Sequence, residues 1–435
     1  MSADTKWFTK DRFGLFIHWG LYSMPARSEW IKEIERTTNE EYDRKYFKYF
    51  EPDLYDPEKW ASAAAKAGMK YFVVTTKHHE GFCLWDSKLT DYKATNTRLG
   101  KDLLTPMVEA FRKEGLRTGF YHSLIDWHHD QYIIDTNNHP LRDADNIPEL
   151  NKERDHSKYV DYLHGQVREI LTEFGDVDVL WFDFSFPHEE DRLDFSKGKG
   201  REAWKSKELH DMIRELQPNV ILNDRIDLEG VCDVKTPEQY QPRMACTLDG
   251  KPIVWEACQT LSGTWGYNRD EQSFRSTRQI ITTLIDCVSK DGNLLLNVGP
   301  TARGEFDYRA LEILEGIGDW MHHHDRAIYG CTEAPKEFAP PENCLLTYNP
   351  ERNSLFVSIL NWPYKHLHLD GKAFVDRVDY AQFLHDGSEV KIKGLEPWQQ
   401  HAGLSTGFDA ENTLTLLLPQ NEPKAEIPVI ELFLK

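Results

Sequence analysis

The sequence predicts an α/β fold: a (β/α)8-like, TIM-type barrel in residues 1–333, followed by a C-terminal antiparallel β-sandwich in residues 334–435. Three observations carry that expectation. Between Arg12 and Gly299 short apolar runs alternate with stretches of helical period; polar and aromatic residues collect where the runs end; and after Tyr329-Gly330 the pattern becomes one of short alternating strands separated by turns. A chain of 435 residues is long enough for one large core and one small one.

In chain order the expected barrel strands are Phe13–Trp19, Tyr71–Thr76, Arg117–Ser123, Val177–Phe184, Val220–Arg225, a short weak one near Val231–Lys235, Ile253–Ala257 and Asn293–Val298. Helical period is clearest where Tyr159, Tyr162, Leu163, Val167, Ile170, Leu171 and Phe174 return every three or four positions. Pro57 sits where a first helical turn accepts proline, and Leu103–Lys113, Trp204–Leu216, Ser273–Val288 and Tyr308–Met321 supply further helices. Strands alternating with helices argue for a parallel sheet covered on its outside, and eight such units argue for closure. Strand order is not written in the sequence, so an open doubly wound sheet is the alternative. Beyond Gly330, the segments Leu355–Asn361, His366–Leu369, Val378–Phe383, Leu414–Leu418 and Val429–Leu434, with a turn at Asp386-Gly387, read as the sandwich.

Composition excludes several classes of partner. A net charge of −20 disfavours nucleic acid and acidic lipid surfaces, which both need a basic face. No apolar run approaches the roughly 18 residues of a membrane helix, and MSADTKWFTKDRFG lacks the apolar centre of a signal peptide, so a cytoplasmic location is expected unless a leader was removed. The seven cysteines, at 83, 232, 246, 258, 287, 331 and 344, are odd in number and form no CxxC, which favours free buried thiols over disulfides or a zinc site. Thirteen tryptophans are ordinary packing material, yet flat aromatic faces also suit sugar rings.

In a barrel of this kind the active site forms at the carboxyl ends of the strands. There the chain places His18-Trp19; the stretch Lys77-His78-His79-Glu80 with Trp85; Tyr121-His122 and Asp126-Trp127-His128-His129; Trp181 and Asp183; Asn223-Asp224-Arg225; Lys235-Thr236-Pro237-Glu238; and Trp255-Glu256. Trp181 and Asp183, two apart on one strand, share a face. A carboxylate among tryptophan, phenylalanine and leucine is costly unless it is paired, either as a structural partner of Arg225 or as a nucleophile or acid/base. Two carboxylates among aromatic walls and neutral hydrogen-bonding groups suit glycoside hydrolysis. The histidines suit a metal poorly: no HxH occurs on the first strand, and His322–His324 reads as a solvated helix end.

The pieces Phe13-Gly14-Leu15-Phe16-Ile17-His18-Trp19-Gly20, Ser28-Glu29-Trp30, Thr75-Thr76-Lys77-His78-His79-Glu80-Gly81-Phe82, Leu180-Trp181-Phe182-Asp183, Asn223-Asp224-Arg225, Trp265-Gly266-Tyr267-Asn268 and Asn293–Pro300 resemble the α-L-fucosidases of glycoside hydrolase family 29. The likeness runs in order from about Lys6 to Gly330. It implies a retaining exo-glycosidase with no metal and no cofactor, with Asp183 as nucleophile and Glu238 as acid/base, Glu256 being the competitor. It also implies fucose contacts from His18, Glu29, Trp30, His78, His79, Tyr121, Trp181 and Arg225, a fucosylated glycan as partner, no nucleic acid or membrane, and room for a homo-oligomer. The chain departs from the expected pattern in having His122 after Tyr121, which puts the outer rim in question.

Further expectations follow from the chemistry. Arg225 beside Asp183 should favour its ionised form, and Glu238 should lie in a drier, less cationic spot. The loops Asp130–Asp155 and Phe184–Lys199 should choose the leaving group. An enzyme for a related sugar such as an α-L-galactoside, a non-catalytic glycan binder and a metal-dependent hydrolase are the alternatives.

Overall fold

The computed structural model describes residues 3–187, 194–394, 409 and 411–435. Its main sheet is built from β1 (Phe13–Ile17), β2 (Tyr71–Lys77), β3 (Arg117–Ser123), β4 (Val179–Asp183) and β5 (Ile221–Leu222). After a small hairpin of β6 (Thr247–Leu248) and β7 (Lys251–Pro252), β8 (Trp255–Thr260) and β9 (Gly292–Val298) complete it. The order is β5-β4-β3-β2-β1-β9-β8, with every neighbouring pair parallel. Each strand is therefore followed by an outer connection, and all carboxyl ends point to one side.

The expected eighth strand is corrected by the structure. Val231–Lys235 forms no strand, and the seven-stranded sheet keeps two edges, β5 and β8, in place of a closed ladder. Asn223 explains the short β5: its side-chain Oδ1 accepts from Phe182 N at 2.9 Å and its Nδ2 donates to Phe182 O at 2.9 Å, so a carboxamide substitutes for the backbone pairing that would have continued the strand. Pro237 brings no N–H to the next segment. Residues 233–238 instead span the gap through isolated bridges, Asn223 to Val234 on one side, Lys235 to Trp255 and Glu238 to Cys258 on the other.

Side-chain alternation divides the barrel into two apolar layers. Phe16, Val73, Tyr121, Val179, Trp181 and Leu295 pack inside. Leu15, Phe72, Val74, Phe120, Leu180 and Phe182 face outward into the helices, each burial stabilising by about 1.5–3 kcal/mol. Gly14 is required on β1 because a Cβ there would stand 2.3 Å from the Tyr71 ring, which fills the interior at that level.

The helices begin where capping groups allow. Asp56 caps Pro57–Lys66, Asp155 caps His156–Glu173, and Ser276 with Gln279 forms a capping box on Thr277–Val288, which delays that helix past the expected Ser273. The expected Trp204–Leu216 helix is two pieces, Arg201–Trp204 and Ser206–Leu216, broken at Lys205 with φ 47°. The helix Tyr308–His324 is longer than expected, and its histidines are not all solvated: His322 and His323 are exposed, whereas His324 is buried, stacks on Trp320 and bonds Trp320 O at 2.7 Å.

After the barrel, β10 (Thr332–Glu333), β11 (Cys344–Asn349), β12 (Ser354–Ile359), β13 (His366–Asp370), β14 (Val378–Phe383), β15 (Lys391–Ile392), β16 (Thr413–Leu417) and β17 (Val429–Leu434) form two antiparallel sheets, β10-β11-β12-β17-β14 and β13-β16-β15. Leu355, Val357 and Leu432 from one sheet and Leu367, Leu369 and Leu416 from the other share a core, as a sandwich requires. Among the described residues no helix is long and apolar enough to cross a membrane.

Candidate active site

Asp183 is the last residue of β4, and four groups surround its carboxylate. Arg225 Nη1 donates to Oδ1 at 3.0 Å, Phe184 N donates to Oδ1 at 2.9 Å, Tyr121 OH donates to Oδ2 at 3.0 Å, and His79 Nε2 lies 3.8 Å from Oδ2. Phe184 holds φ at 71°, a costly angle for a residue with a Cβ, which turns the chain sharply as it leaves Asp183. Burial raises the Asp183 pKa to about 6; Arg225 and Tyr121 pull it back, and the nearby charge of Glu238 pushes it further up. The cation thus favours ionisation, as expected, but burial outweighs it.

Arg225 is itself fixed on every side. Its Nε donates to Thr236 Oγ1 and its Nη2 to Thr236 O, both at 3.1 Å, and its guanidinium lies 4.8 Å over the Trp181 ring. The nitrogen that binds Asp183 also binds Glu238 Oε2 at 2.8 Å. Two oxygens held by one nitrogen at these distances lie within about 6 Å, which is compatible with the roughly 5–5.5 Å of a retaining carboxylate pair. The expectation that Glu238 would be dry and away from cations is corrected: its side chain is 39% exposed and it is an ion-pair partner of Arg225. The cause is the irregular 233–238 segment, which carries it to the rim rather than into the interior.

Glu256, the competing acid, occupies a different level. It is the second residue of β8, in register with Asn293 at the start of β9, whereas Asp183 ends its own strand. It is fully buried beside Trp181, its Oε1 accepts from Tyr71 OH, and burial raises its pKa to about 8. At that depth the carboxyl group is held by Tyr71 OH, one strand end away from Asp183.

The histidines are tuned to be neutral. His18 Nδ1 donates to Asn297 Oδ1 at 2.6 Å, an orientation fixed because Asn297 Nδ2 donates to Trp265 O, and this leaves Nε2 as an acceptor. His79 Nδ1 donates to Ser123 Oγ at 2.7 Å, since that hydroxyl gives its own proton to Ile125 O; its Nε2 is likewise an acceptor. Burial lowers His18 to about 3 and holds His78 and His79 well below their ordinary range. His78, Tyr121 and Trp181 stack in sequence, at 5.6 Å and then 5.7 Å. Trp30 meets His79 at 5.0 Å and Phe184 at 5.3 Å. Glu29, fully buried and raised in pKa by that burial, accepts from Gly266 N at 2.8 Å.

All the expected sugar-contact residues, His18, Glu29, Trp30, His78, His79, Tyr121, Trp181 and Arg225, thus occur in one connected group around Asp183. Others at the same strand ends do not join it, because alternate side chains leave on the outer face. His122 bonds Thr76 Oγ1 at 3.0 Å behind the sheet and so forms no part of the rim, Trp19 packs on Tyr55 and Trp60, and Trp85 reaches Glu169. His128 pairs with Asp43 at 3.0 Å and stacks on Tyr92. Among the described residues no three His, Cys, Asp or Glu are placed to hold a metal ion.

Sequence reasoning did not assign Trp265, Asn297 or Phe184 to the site. Trp265 stands 5.0 Å from His18 and 5.8 Å from Phe16. Its loop lies against Gly299, where a Cβ would meet Gly266 and Tyr267 backbone atoms at 2.7 and 2.6 Å. The motifs Trp265-Gly266-Tyr267-Asn268 and Asn293–Pro300 were the available signal. Of the expected leaving-group loops, Asp130–Asp155 is described; residues 188–193 of the second lie outside the described residues, and its remainder is tied to the first by Thr136 N to Ser196 O at 2.9 Å and Lys199 Nζ to Asp135 at 2.8 Å.

Comparison with known proteins gives consistent likenesses. A family model described as alpha-L-fucosidase matches residues 2–326. The structure of α-L-fucosidase isoenzyme 1 from Paenibacillus thiaminolyticus superposes with a TM-score of 0.89 at 43% identity, covering 99% of this chain and 98% of that one. A Bacteroides thetaiotaomicron α-L-fucosidase, solved as a trapped covalent intermediate with 2-fluoro-fucosyl fluoride, gives 0.81 at 26% identity over 98% of this chain and 95% of that one. The tissue α-L-fucosidase of Mus musculus is 28% identical over 389 residues, covering 82% of this chain and 78% of its own length.

Proposed function

The chain belongs to the α-L-fucosidase family and is a glycoside hydrolase, and from that premise we propose that it removes terminal α-L-fucosyl residues from glycans by double displacement, with Asp183 as nucleophile and Glu238 as acid/base. The observation that carries this reading is Arg225 Nη1, which holds Asp183 Oδ1 at 3.0 Å and Glu238 Oε2 at 2.8 Å. One cation thereby brings together two carboxylates in unlike surroundings, one buried and one at the rim.

In the first step protonated Glu238 gives its proton to the leaving oxygen while Asp183 Oδ2 attacks the anomeric carbon, forming a fucosyl ester. Esterification removes the charge of Asp183, so Arg225 is left with Glu238 as its one carboxylate partner, in the ionised form a base needs. Glu238 then takes a proton from water, the water oxygen bonds to the anomeric carbon, and the ester breaks to return Asp183 as a carboxylate. Neutral His18 and His79, each with an acceptor nitrogen fixed by its partner, suit sugar hydroxyls, and Phe16, Tyr121, Trp181 and Trp265 supply apolar surface for a C6 methyl group worth about 1 kcal/mol. This aromatic lining favours a deoxysugar over one that carries a hydroxyl at that carbon. Every residue in these roles precedes 334, which supports 1–333 as the catalytic part and 334–435 as an accessory sandwich.

The test is to inactivate the protein with 2-fluoro-α-L-fucosyl fluoride and map the adduct by peptide mass spectrometry. The expected adduct is on the peptide carrying Asp183; an adduct elsewhere, or none with continuing turnover, would end the assignment.

A further inference from the structure

Four buried charges, Lys32, Lys77, Glu80 and Asp126, stand behind the residues read as sugar contacts, the first three close to them in sequence. Lys32 follows Glu29-Trp30 by two residues, and Lys77 and Glu80 bracket His78-His79. Lys77, fully buried, pairs with Asp126 at 3.1 Å, and Asp126 Oδ1 accepts from His128 N and His129 N at 2.9 Å each. Glu80, 1% exposed, reaches across three segments: Oε1 accepts from Leu21 N at 2.8 Å in the loop after β1, Oε2 accepts from Tyr42 OH at 2.5 Å in the helix Asn39–Lys45, and its own backbone belongs to the turn after β2. Gly20 has no Cβ because one there would lie 2.6 Å from Glu80 Oε1.

Lys32 is 1% exposed and its Nζ makes no hydrogen bond to a protein group; it lies 4.9 Å over the ring of Tyr42, whose hydroxyl holds Glu80, and it faces the charges of Glu80, Asp43 and Asp126. A lone buried ammonium is expensive, and only this surrounding negative charge compensates it. None of these four groups touches the Asp183 carboxylate. The chain has nevertheless put two cations and two anions where simple packing would have been cheaper, three of them on the segments that carry Trp30, His78 and His79 and the fourth, Asp126, in the loop after β3.

We infer that Glu80, with Lys32 as its counter-charge through Tyr42, is a positioning residue that fixes the Glu29-Trp30 loop against the His78-His79 turn and so sets the affinity of the enzyme for the fucosyl ring. The inference rests on the reading of these residues as sugar contacts. The Glu80 carboxyl group acts as the clamp through Leu21 N and Tyr42 OH, and Lys32 opposes the burial that raises its pKa to about 7. Removing the clamp displaces Trp30 and the two histidines relative to one another. Ground-state sugar binding is lost first, because the Asp183–Arg225–Glu238 group is anchored separately through Thr236 and Tyr121.

The test uses Glu80→Gln, which keeps the side-chain volume and an acceptor for Leu21 N, together with Lys32→Met, the double variant, and Glu431→Gln as a control. Glu431 is a buried carboxylate of β17 paired with Arg326 at 3.0 Å, far along the chain from the site. Wild-type hydrolysis of 4-nitrophenyl α-L-fucoside is measured first; no turnover there would sink the fucosidase reading itself. Given turnover, Glu80→Gln is expected to raise KM and the inhibition constant of L-fucose by about tenfold with kcat changed less than about threefold, as small misplacements of contact groups do. Glu431→Gln is expected to lower the melting temperature without moving either constant. The double variant should lie closer to wild type in KM than Glu80→Gln does, since it leaves no unpaired ammonium. An unchanged KM and L-fucose inhibition constant in Glu80→Gln, or a double variant showing no recovery, overturns the inference while leaving the fucosidase reading intact.

Discussion

The rim and the floor of the same barrel each hold a glutamate, and they are opposites. At the rim Glu238 is partly open to solvent and tied to Arg225, beside Asp183. At the floor Glu256 is sealed among Tyr71, Trp181 and Asn293, with a pKa raised to about 8. Glu256 follows the apolar run Ile253-Val254-Trp255, whereas Glu238 follows the polar stretch Asp233-Val234-Lys235-Thr236-Pro237. What separates them is height along the strands: Glu256 is near the start of β8, while Glu238 is carried up level with Cys258 by a segment that is not a strand. The comparison teaches that a raised pKa alone does not mark a catalytic acid, because burial gives the shift whether or not the group reaches the reacting atoms.

The largest effect that could break this contrast is at the rim. Asp183→Ala should lower kcat/KM for aryl fucosides by about 10³-fold or more, with azide restoring turnover and giving a fucosyl azide of inverted anomeric configuration, read by NMR. Next, Glu238→Ala should cost about 10²–10⁴-fold on substrates with poor leaving groups and far less on activated aryl fucosides, whereas Glu256→Gln should leave both within about tenfold. The reverse pattern in steady-state assays would exchange the roles of rim and floor.

A smaller effect is the acid limb of activity. Asp183 must be ionised to attack, and its pKa is raised to about 6, so kcat/KM should fall as the pH drops through about 6. Arg225→Lys weakens the paired contact with Asp183, and the limb should move upward, since Arg225 is what holds the value down; a downward shift in the pH–rate profile would contradict the charge order.

The smallest is a stability effect confined to the floor. Glu256 has a folded pKa of about 8 against an ordinary value of 4.5, so the native state binds the extra proton between those two values. Stability is therefore highest below the unfolded pKa and declines as the pH rises toward 8. Glu256→Gln should flatten that decline, and its melting temperature should exceed the wild-type value more at pH 8 than at pH 5. Equal differences at both would show that Glu256 does not titrate as a buried acid.

Much of this was legible in the chain itself. Period-two and period-3.6 patterning located all seven parallel strands and the long helices, because burial on both faces leaves near-continuous apolar runs such as Tyr71–Lys77 and Gly292–Val298. The β17 limits, Val429–Leu434, agree with those expected. What patterning missed has physical causes. Asn223 ends β5 through its side chain, which no hydrophobic period records, and the gap-spanning residues 233–238 satisfy their backbone by single bridges rather than by a ladder. Likewise His122 and Trp19 looked like rim residues but face outward, since one residue of register reverses the face.

The sequence by itself determined which residue types stand at each strand end, and with them the fold class and the nucleophile candidate at Asp183, because these depend on local pattern and neighbours. Only the tertiary structure decided which of those residues meet. Glu238 and Asp183 come together on a single nitrogen of Arg225, Glu256 falls to the floor, and Trp265 swings over His18, because height along the strands and the path of irregular segments are set by packing between residues far apart in the chain. Contacts of that range carry no periodic trace in the sequence.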